Sequence, residues 1–337
     1  MKKSLIALAV LGSVAGVAQA QSSVTLYGVV DAYAARVKSG AVGAETSTTV
    51  LNSGGLLSSR FGVMGTEDLG GGLKAIFKLE QGFDASNGTA NANTAFDRQS
   101  WIGLEGGFGT VQFGNVWSAF DDVFYIGNSV FDSFVFSPGA AGFSLNGGPV
   151  LSVYNYTDKP RNAIRYTTPS FGGFSAAVSH GLDENAAAKT DQTDFNVQYA
   201  NGPLTVAFAY QLRRDSGAIT ATEDQKFAYL DAAYDLGPVV LKGGFGQTRE
   251  VLATKTNDYQ LGVDFPLSSA LTLSAGYAGS KDKDGSDTKR QGLAVGATYT
   301  LSKRTLVYTA LNSSKRKAAG TTSHKYSFIG AGLQHKF

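Results

Sequence analysis

The sequence contains no cysteine among its 337 residues, and it has only seven prolines, two methionines and two tryptophans. The absence of cysteine excludes a disulfide scaffold, so stability has to come from backbone pairing and side-chain packing. After residue 20 no apolar run approaches the ~18 residues that a membrane-spanning helix requires. If this chain crosses a membrane, it therefore crosses with strands.

A net charge is also missing once the N-terminus is set aside. Two lysines precede an apolar, small-residue stretch over residues 4–17, and Ala18 and Ala20 supply the small residues that a signal peptidase reads. We therefore predict a secretory signal peptide over residues 1–20 and one mature domain over 21–337. Removing the two lysines from 29 basic residues leaves 27 against 27 acidic ones. A nucleic-acid-binding protein would show a basic excess, so we expect no nucleic acid partner.

The residue types that are abundant favour strands and tight turns. The chain has 42 glycines, 21 phenylalanines and 15 tyrosines. Apolar residues alternate with small or polar ones in many segments, which places the two sets on opposite faces of a sheet. Clear examples are Leu204, Val206, Phe208, Tyr210 and Leu212; Tyr259, Leu261, Val263 and Phe265; and Leu293, Val295, Ala297, Tyr299 and Leu301.

The same test gives about sixteen candidate strands of roughly 8–14 residues. Their connections alternate between short turns, such as residues 70–72 and 201–203, and long polar loops, such as 36–56 and 84–95. Short turns at one end and long loops at the other are typical of transmembrane barrels. We therefore predict an all-β, sixteen-stranded antiparallel transmembrane β-barrel. A soluble β-sandwich, which also alternates, remains the alternative.

One connection is much longer than the others. Residues 118–158 follow the fifth predicted strand and are rich in phenylalanine, glycine and serine. A loop of this length is usually functional. Because a barrel of sixteen strands encloses a wide aqueous channel, a loop folded inward would narrow it.

Several segments resemble the trimeric general porins of β-proteobacteria. They are SSVTLYGVVDAY (22–33), SSRFGVMGTEDLGGGLKAIFKLEQGF (58–83), DRQSWIGLEGGFGTVQFG (97–114), RNAIRYTTPSFGGFSAAVSHG (161–181), LSKRTLVY (301–308) and GLQHKF (332–337). The resemblance implies a homotrimer in the outer membrane, surrounded by outer-membrane lipid, with the third loop folded into each pore. It implies passive diffusion of ions and small hydrophilic solutes. It also implies that the terminal Phe337 belongs to a signal read by the barrel-assembly machinery.

Alternation predicts which basic residues line the lumen. If Phe61 and Val63 face lipid, Arg60 faces inward, and by the same argument Lys74 and Lys78 face inward. The resemblance supports Arg60 and adds the positions of Arg98, Lys159, Arg161 and Arg165. Arg98 shares a frame with the apolar Ile102 and Leu104, so it would need a bulge or an inward turn near 98–100. The family often has a base where this chain has Met64.

Acidic residues are expected on the opposite side of the pore. Between residues 99 and 158 there is no lysine or arginine, whereas Asp121, Asp122 and Asp132 lie on the long loop. Acids facing a basic wall would give a transverse field across the constriction. The alternative is that each acid caps a short loop helix or is solvated on the loop surface.

Other functions have weaker support. The three histidines, His180, His324 and His335, lack ligand spacing, so we expect no metal, no cofactor and no enzyme. Three alternatives to a general diffusion pore remain. They are a substrate-specific channel of the same fold, an adhesive or structural barrel, and an outer-membrane enzyme.

Overall fold

The computed structural model describes residues 22–91, 94–140, 149–183, 191–214, 224–250 and 255–337. The predicted signal peptide, residues 1–20, lies outside the described residues. Within the described ranges, no helix is long and apolar enough to cross a membrane.

The described chain is organised as one antiparallel sheet in which each strand pairs with its neighbours in sequence. Its segments are β1 Ser23–Ala41, β2 Thr46–Ser53, β3 Arg60–Gly70, β4 Leu73–Gly82, β5 Gln99–Gly106, β6 Gly109–Asn115, β7 Ala163–Thr167, β8 Phe174–Gly181, β9 Gln192–Asn201, β10 Leu204–Arg213, β11 Gln225–Asp235, β12 Val240–Arg249, β13 Lys255–Pro266, β14 Leu271–Asp282, β15 Lys289–Thr300, β16 Thr305–Ala318 and β17 Thr321–Lys336.

The sheet closes on itself through β1. The first half of β1 pairs with β3 and its second half pairs with β2, so β2 and β3 are two halves of one barrel strand. On its other edge β1 pairs with β17, from Val29 opposite Lys336 to Ala41 opposite His324. The seventeen segments therefore make sixteen barrel strands, and the predicted sixteen-stranded antiparallel barrel is confirmed.

The prediction of a long loop over residues 36–56 is wrong. Strand β1 continues to Ala41 and β2 begins at Thr46, so the connection between them is a tight turn. Most residues on both faces of this hairpin are polar, with Val37, Val50 and Leu51 as exceptions, and the alternation on which the strand prediction depended is therefore weak. Threonine and valine still favour extended backbone, and pairing with β1 satisfies the backbone groups.

Asp31 explains why the second barrel strand is interrupted between β2 and β3. Its fully buried carboxylate accepts backbone N–H groups from Gly55 at 2.9 Å, Leu56 at 3.0 Å and Leu57 at 3.1 Å. The Tyr308 hydroxyl donates to the same carboxylate. A buried carboxylate is tolerated when it is this well hydrogen-bonded, and here it draws residues 54–59 into the barrel.

The outer face of the barrel carries the apolar frame that alternation predicted. Leu261 is 67% exposed and Leu293 is 55% exposed, whereas the residues between the members of each apolar set face inward. Large apolar side chains exposed around a closed barrel form a lipid-facing surface. The polar backbone is satisfied by the closed ladder, as a bilayer requires.

Residues 116–162, between β6 and β7, are called loop 3, and the described part of this loop lies inside the barrel. Its backbone N–H groups bond to inward-facing side chains of the wall, from Gly127 to Asp231 at 2.7 Å and from Val153 to Asp258 at 2.6 Å. On β16, Asn312 donates to the Ser137 carbonyl at 3.1 Å. Loop 3 therefore follows one side of the wall, where further bonds join it to β8, β9, β10 and β15.

Small residues on the inner faces of β14 and β15 make room for this loop. A Cβ at Gly276 would lie 1.7 Å from the Ser129 hydroxyl oxygen, and one at Gly292 would lie 2.1 Å from the Pro138 carbonyl oxygen. In the sequence these glycines alternate with apolar residues as if they lined water. In the structure loop 3 covers them, with the Ser129 side chain over Gly276 and the Pro138 carbonyl over Gly292.

An apolar core fixes the loop against the wall. Phe120, Phe124 and Phe136 of loop 3 are fully buried, and they pack with Tyr229 and Tyr308 of the wall. Burial of aromatic side chains is the main favourable contribution of such a core. The described part of loop 3 is therefore packed firmly against this side of the wall.

The first strand and the last residue of the chain meet at the end of the barrel that carries the short turn between β3 and β4, called the end with the short turns. The backbone of Phe337 exchanges two hydrogen bonds with Gly28, at 3.0 and 3.1 Å. Its ring covers Gly28 so closely that a Cβ there would lie 2.3 Å from the ring. Gly28 faces the same side of β1 as the exposed Leu26 and Val30, so the ring lies on the lipid-facing side.

Replacement of Phe337 by alanine should lower the amount of folded protein in the membrane several-fold and leave single-channel conductance unchanged, because the ring lies outside the lumen. Leu301→Ala, another exposed apolar residue at the same end, is the matched control and should change neither. Immunoblots of membrane fractions and planar-bilayer recordings provide the two readouts. Normal abundance with altered conductance would refute the assignment of Phe337 to assembly.

Candidate functional site

Loop 3 decides which part of the wall meets water. It packs along β8 to β16 and its tip reaches Gly55, where Ser133 donates to the Gly55 carbonyl. Loop 3 also reaches β7 through Arg165. Among the described residues, the inner faces of β3 to β6 are the side left open. Met64 faces inward there, opposite Lys78, and is 43% exposed. The aqueous passage therefore runs between loop 3 and these strands.

Glu80 on β4 is the centre of a charged cluster on this open side. It is 2% exposed, and its carboxylate lies 2.8 Å from Arg98 Nε, 3.4 Å from Arg60 Nε and 3.8 Å from Lys78 Nζ. The Tyr27 hydroxyl donates to it at 2.7 Å. Three cations therefore share one anion, and the cluster keeps a net positive charge.

Strand register brings these residues together. Gly62 lies opposite Glu80 and Met64 opposite Lys78, so the inward face of β3 and β4 presents both charges to the lumen. A Cβ at Gly62 would lie 2.7 Å from the Tyr27 hydroxyl. Glycine at this position therefore allows the phenol to reach the carboxylate.

Arg98 reaches the Glu80 carboxylate although it lies just before strand β5 and not within it. Strand β5 begins at Gln99, so alternation does not fix the direction of Arg98. Phe96 has a φ of 54°, which turns the chain just before the strand. The Arg98 N–H also donates to the Glu80 carbonyl at 3.2 Å. The inward approach comes from this turn, and β5 needs no bulge.

Trp117 joins this cluster to a second group of charges. Its ring lies 5.3 Å from the Arg98 guanidinium and 4.7 Å from Lys159 Nζ, both within reach of cation–π attraction. Lys159 pairs with Asp158 at 2.6 Å. Arg165 donates to the Trp117 carbonyl at 2.9 Å and also pairs with Asp122 on loop 3. We call the cations Arg60, Lys78, Arg98, Lys159 and Arg165 the basic wall.

Two predicted bases lie elsewhere. Lys74 pairs with Glu105 at 3.0 Å, and both are exposed near the short turns. It precedes Lys78 by four residues, or about 13 Å along the strand. Arg161 is exposed just before β7. The structure therefore does not bring Lys74 into the cluster around Glu80. Arg161 is near Lys159 in sequence, but no described contact joins it to this cluster.

The three predicted acids of loop 3 have different surroundings. Asp121 is 6% exposed and accepts a hydrogen bond from the Tyr156 hydroxyl, and desolvation raises its pKa to about 8. Asp132 is half-buried beside Asn128, and desolvation raises its pKa to about 8 as well. Of these three acids, Asp122 alone forms a described ion pair with the basic wall, with Arg165. An array of three ionised acids facing the bases therefore does not form at neutral pH, because burial favours the protonated form of two of them.

The sequence does not indicate which residues connect the bases. Alternation on β4 is consistent with an inward Glu80, two residues after Lys78, but no sequence pattern indicates that three cations converge on it. Trp117, one of only two tryptophans, lies two residues after β6, and the sequence carries no other indication of its role. Among the described residues, no group of three histidine, aspartate or glutamate side chains could hold a metal ion.

A closed barrel with an apolar outer face and a charged inner passage is a transmembrane channel. A family model for Gram-negative porins matches residues 7–319. Outer membrane porin protein 32 of Delftia acidovorans is 35% identical over 98% of this chain and 95% of that protein. An outer membrane porin protein of Bordetella pertussis is 31% identical over the whole of both chains.

Solved structures agree with this likeness. The anion-selective porin from Comamonas acidovorans has a TM-score of 0.79 and 29% identity, over 94% of this chain and all of that chain. The chain therefore belongs to the Gram-negative porin family. It is an outer-membrane porin, and its fold and family are those of a passive channel.

The buried Asp121 gives a test of the loop 3 packing. Because its pKa is raised, the native state is most stable with Asp121 protonated and loses stability as the pH rises from about 4 to about 8. Asp121→Asn should therefore raise the unfolding temperature relative to wild type by an amount that grows over this range and levels off above pH 8. Heat-dependent gel mobility at several pH values measures the difference.

The neighbouring Asp122 is the matched control, since it is part-exposed and paired with Arg165. Asp122→Asn should not stabilise the protein at any pH. A difference between Asp121→Asn and wild type that is the same at pH 4 and pH 8 would contradict the burial of Asp121 as an acid.

Proposed function

We propose that this porin conducts small hydrophilic solutes without altering them, with a modest preference for anions set by the basic wall. The observation that carries the proposal is the cluster at Glu80, where Arg60, Lys78 and Arg98 share a single carboxylate. The excess positive charge faces the side of the lumen that loop 3 leaves open. An anion passing there meets a favourable potential.

The charges beside the cluster do not cancel this excess. Asp122 and Asp158 each have a cationic partner in the basic wall, Arg165 and Lys159 respectively. Asp121, the buried acid of loop 3 beside Asp122, is mostly protonated at neutral pH because its burial raises its pKa. The similarity to a porin described as anion-selective supports the same sign of preference.

The preference should be weak. In an aqueous lumen two charges a few ångströms apart interact by about 1 kcal/mol. Salt at physiological concentration screens the interaction beyond about 8 Å. Single charges should therefore bias permeation by a few-fold and should not switch it.

Arg60→Ala should shift the reversal potential towards cation permeation, with a change of about two- to five-fold in the permeability ratio at low salt. The shift should shrink as salt is raised, because screening weakens the field. Planar-bilayer recordings under asymmetric potassium chloride measure it. Lys74→Ala removes the same charge near the short turns and is the matched control, with little expected effect. An unchanged reversal potential in Arg60→Ala at low salt would sink the proposed role.

We also propose that three copies assemble, each with its own pore. The outer faces of β1 and β17 support a contact between copies, since they present Ala32, Ala34 and Ala331 beside Leu51 and Leu333. These residues border a shallow depression of about 550 Å³. Small side chains allow close approach of two barrels within the membrane.

The assembled protein should migrate on a detergent gel as one oligomer when unheated. After boiling it should collapse to a species of about one third of that mass, as closed three-fold symmetry requires. Chemical crosslinking before boiling should trap species of two and three chains. Migration as a single chain under both conditions, with no crosslinked product, would rule the oligomer out.

A further inference from the structure

Phe134 of loop 3 presents an exposed aromatic ring inside the barrel. It is 36% exposed, whereas the other side chains over residues 116–140, all of them described, are buried or half-buried. Because the described part of loop 3 lies within the barrel, the open side of this ring faces the lumen. The hydrophobic effect favours any apolar surface that covers it.

Neighbouring rings hold Phe134 in place from the side of the loop. It stacks on the buried Phe124, with ring centroids 6.0 Å apart and an angle of 7° between the planes. The ring of Tyr154, also buried, lies 5.8 Å away, and Tyr125 meets Phe134 edge-on at 5.9 Å. The exposed ring is therefore a fixed aromatic surface, and little conformational freedom is lost when a solute packs against it.

The tip of loop 3 brings this ring towards Arg60. Ser133, the residue before the ring, donates to the Gly55 carbonyl. Arg60 Nη1 donates to the Ser58 carbonyl at 3.0 Å. Both carbonyls belong to residues 54–59, the segment that is drawn into the barrel. This segment therefore joins the tip of loop 3 to the start of the basic wall.

Tyr125 gives a second link between the ring and the basic wall. It contacts Phe134, and it lies near enough to Arg60 for the two side chains to interact electrostatically. Arg60 belongs to the cluster in which three cations share the Glu80 carboxylate. The aromatic ring and the excess of positive charge therefore border the same part of the passage.

A solute that matches both surfaces carries a negative charge and a flat apolar ring. A carboxylate forms charge-assisted hydrogen bonds with guanidinium groups. An aromatic ring packs edge-to-face or offset on the exposed ring of Phe134. A small carboxylate without a ring would use the basic wall alone, and an aromatic cation would be repelled by it.

We propose that the passage binds aromatic carboxylates, with the carboxylate on the basic wall at Arg60 and the ring against Phe134. This inference rests on the proposed anion preference and adds a class of solute to it. Binding at such a site is weak, since conduction requires that a solute also leaves.

The test measures the block of potassium chloride current through the folded protein in planar bilayers at neutral pH. The probes are benzoate, acetate as the carboxylate without a ring, and benzylammonium as the ring with a positive charge. Benzoate should halve the current at a concentration about three- to ten-fold below that of either of the other two. Phe134→Ala should raise the half-blocking concentration of benzoate by a similar factor and leave that of acetate unchanged, whereas Phe134→Tyr should retain the block.

Phe113→Ala is the matched control, since it removes a 46% exposed phenylalanine from the lipid-facing side of β6 and should behave like wild type. Heat-dependent gel mobility should show that each variant is folded. Equal block by benzoate and acetate, or unchanged block in Phe134→Ala, would overturn this inference while a reversal-potential shift in Arg60→Ala kept the anion preference. A reversal potential that Arg60→Ala leaves unchanged would contradict the anion preference, and this inference with it.

Discussion

The hydrogen bonding of loop 3 to the inner wall is the constraint on which the rest of the interior depends. A loop enclosed in a barrel has to satisfy its backbone polar groups with little secondary structure of its own, and loop 3 has a single short 3-10 helix, Ser152–Asn155, in its described part. Here Asp231 and Asp258 accept the N–H groups of Gly127 and Val153. Because these acceptors lie on β11 and β13, the loop is held to that side, and the passage is left beside the opposite wall.

The open wall then acquires its charge through a second buried carboxylate. Without Glu80, the cations Arg60, Lys78 and Arg98 would repel one another at close range. With it, they are held within 3.8 Å of one carboxylate and still leave a positive excess. One anion therefore orders the cations and leaves their charge uncancelled. The buried Asp121 adds little negative charge at neutral pH, since burial raises its pKa.

Local alternation was enough to predict the barrel and the inward direction of Arg60, because residues paired across neighbouring strands face the same side of the sheet. It failed over residues 36–56, where most residues on both faces are polar. Alternation could not predict the inward direction of Arg98, because this residue lies before β5. Arg98 was predicted to line the lumen only because of the resemblance to the porin family. The environments of Asp121 and Asp132 depend on how loop 3 packs inside the barrel, and no local pattern encodes that packing. Gly276 and Gly292, against which loop 3 packs, alternate with apolar residues in the same way as residues that line water.

In this arrangement water and solutes pass beside β3 to β6 and are excluded from the wall under loop 3. The chain has no cysteine, so single cysteines can report on this directly. A water-soluble thiol reagent should react quickly with Met64→Cys and reduce its single-channel current. It should leave Asn312→Cys, at a residue buried beneath loop 3, unmodified and conducting as before. Rapid block through Asn312→Cys, with Met64→Cys unaffected, would contradict the account.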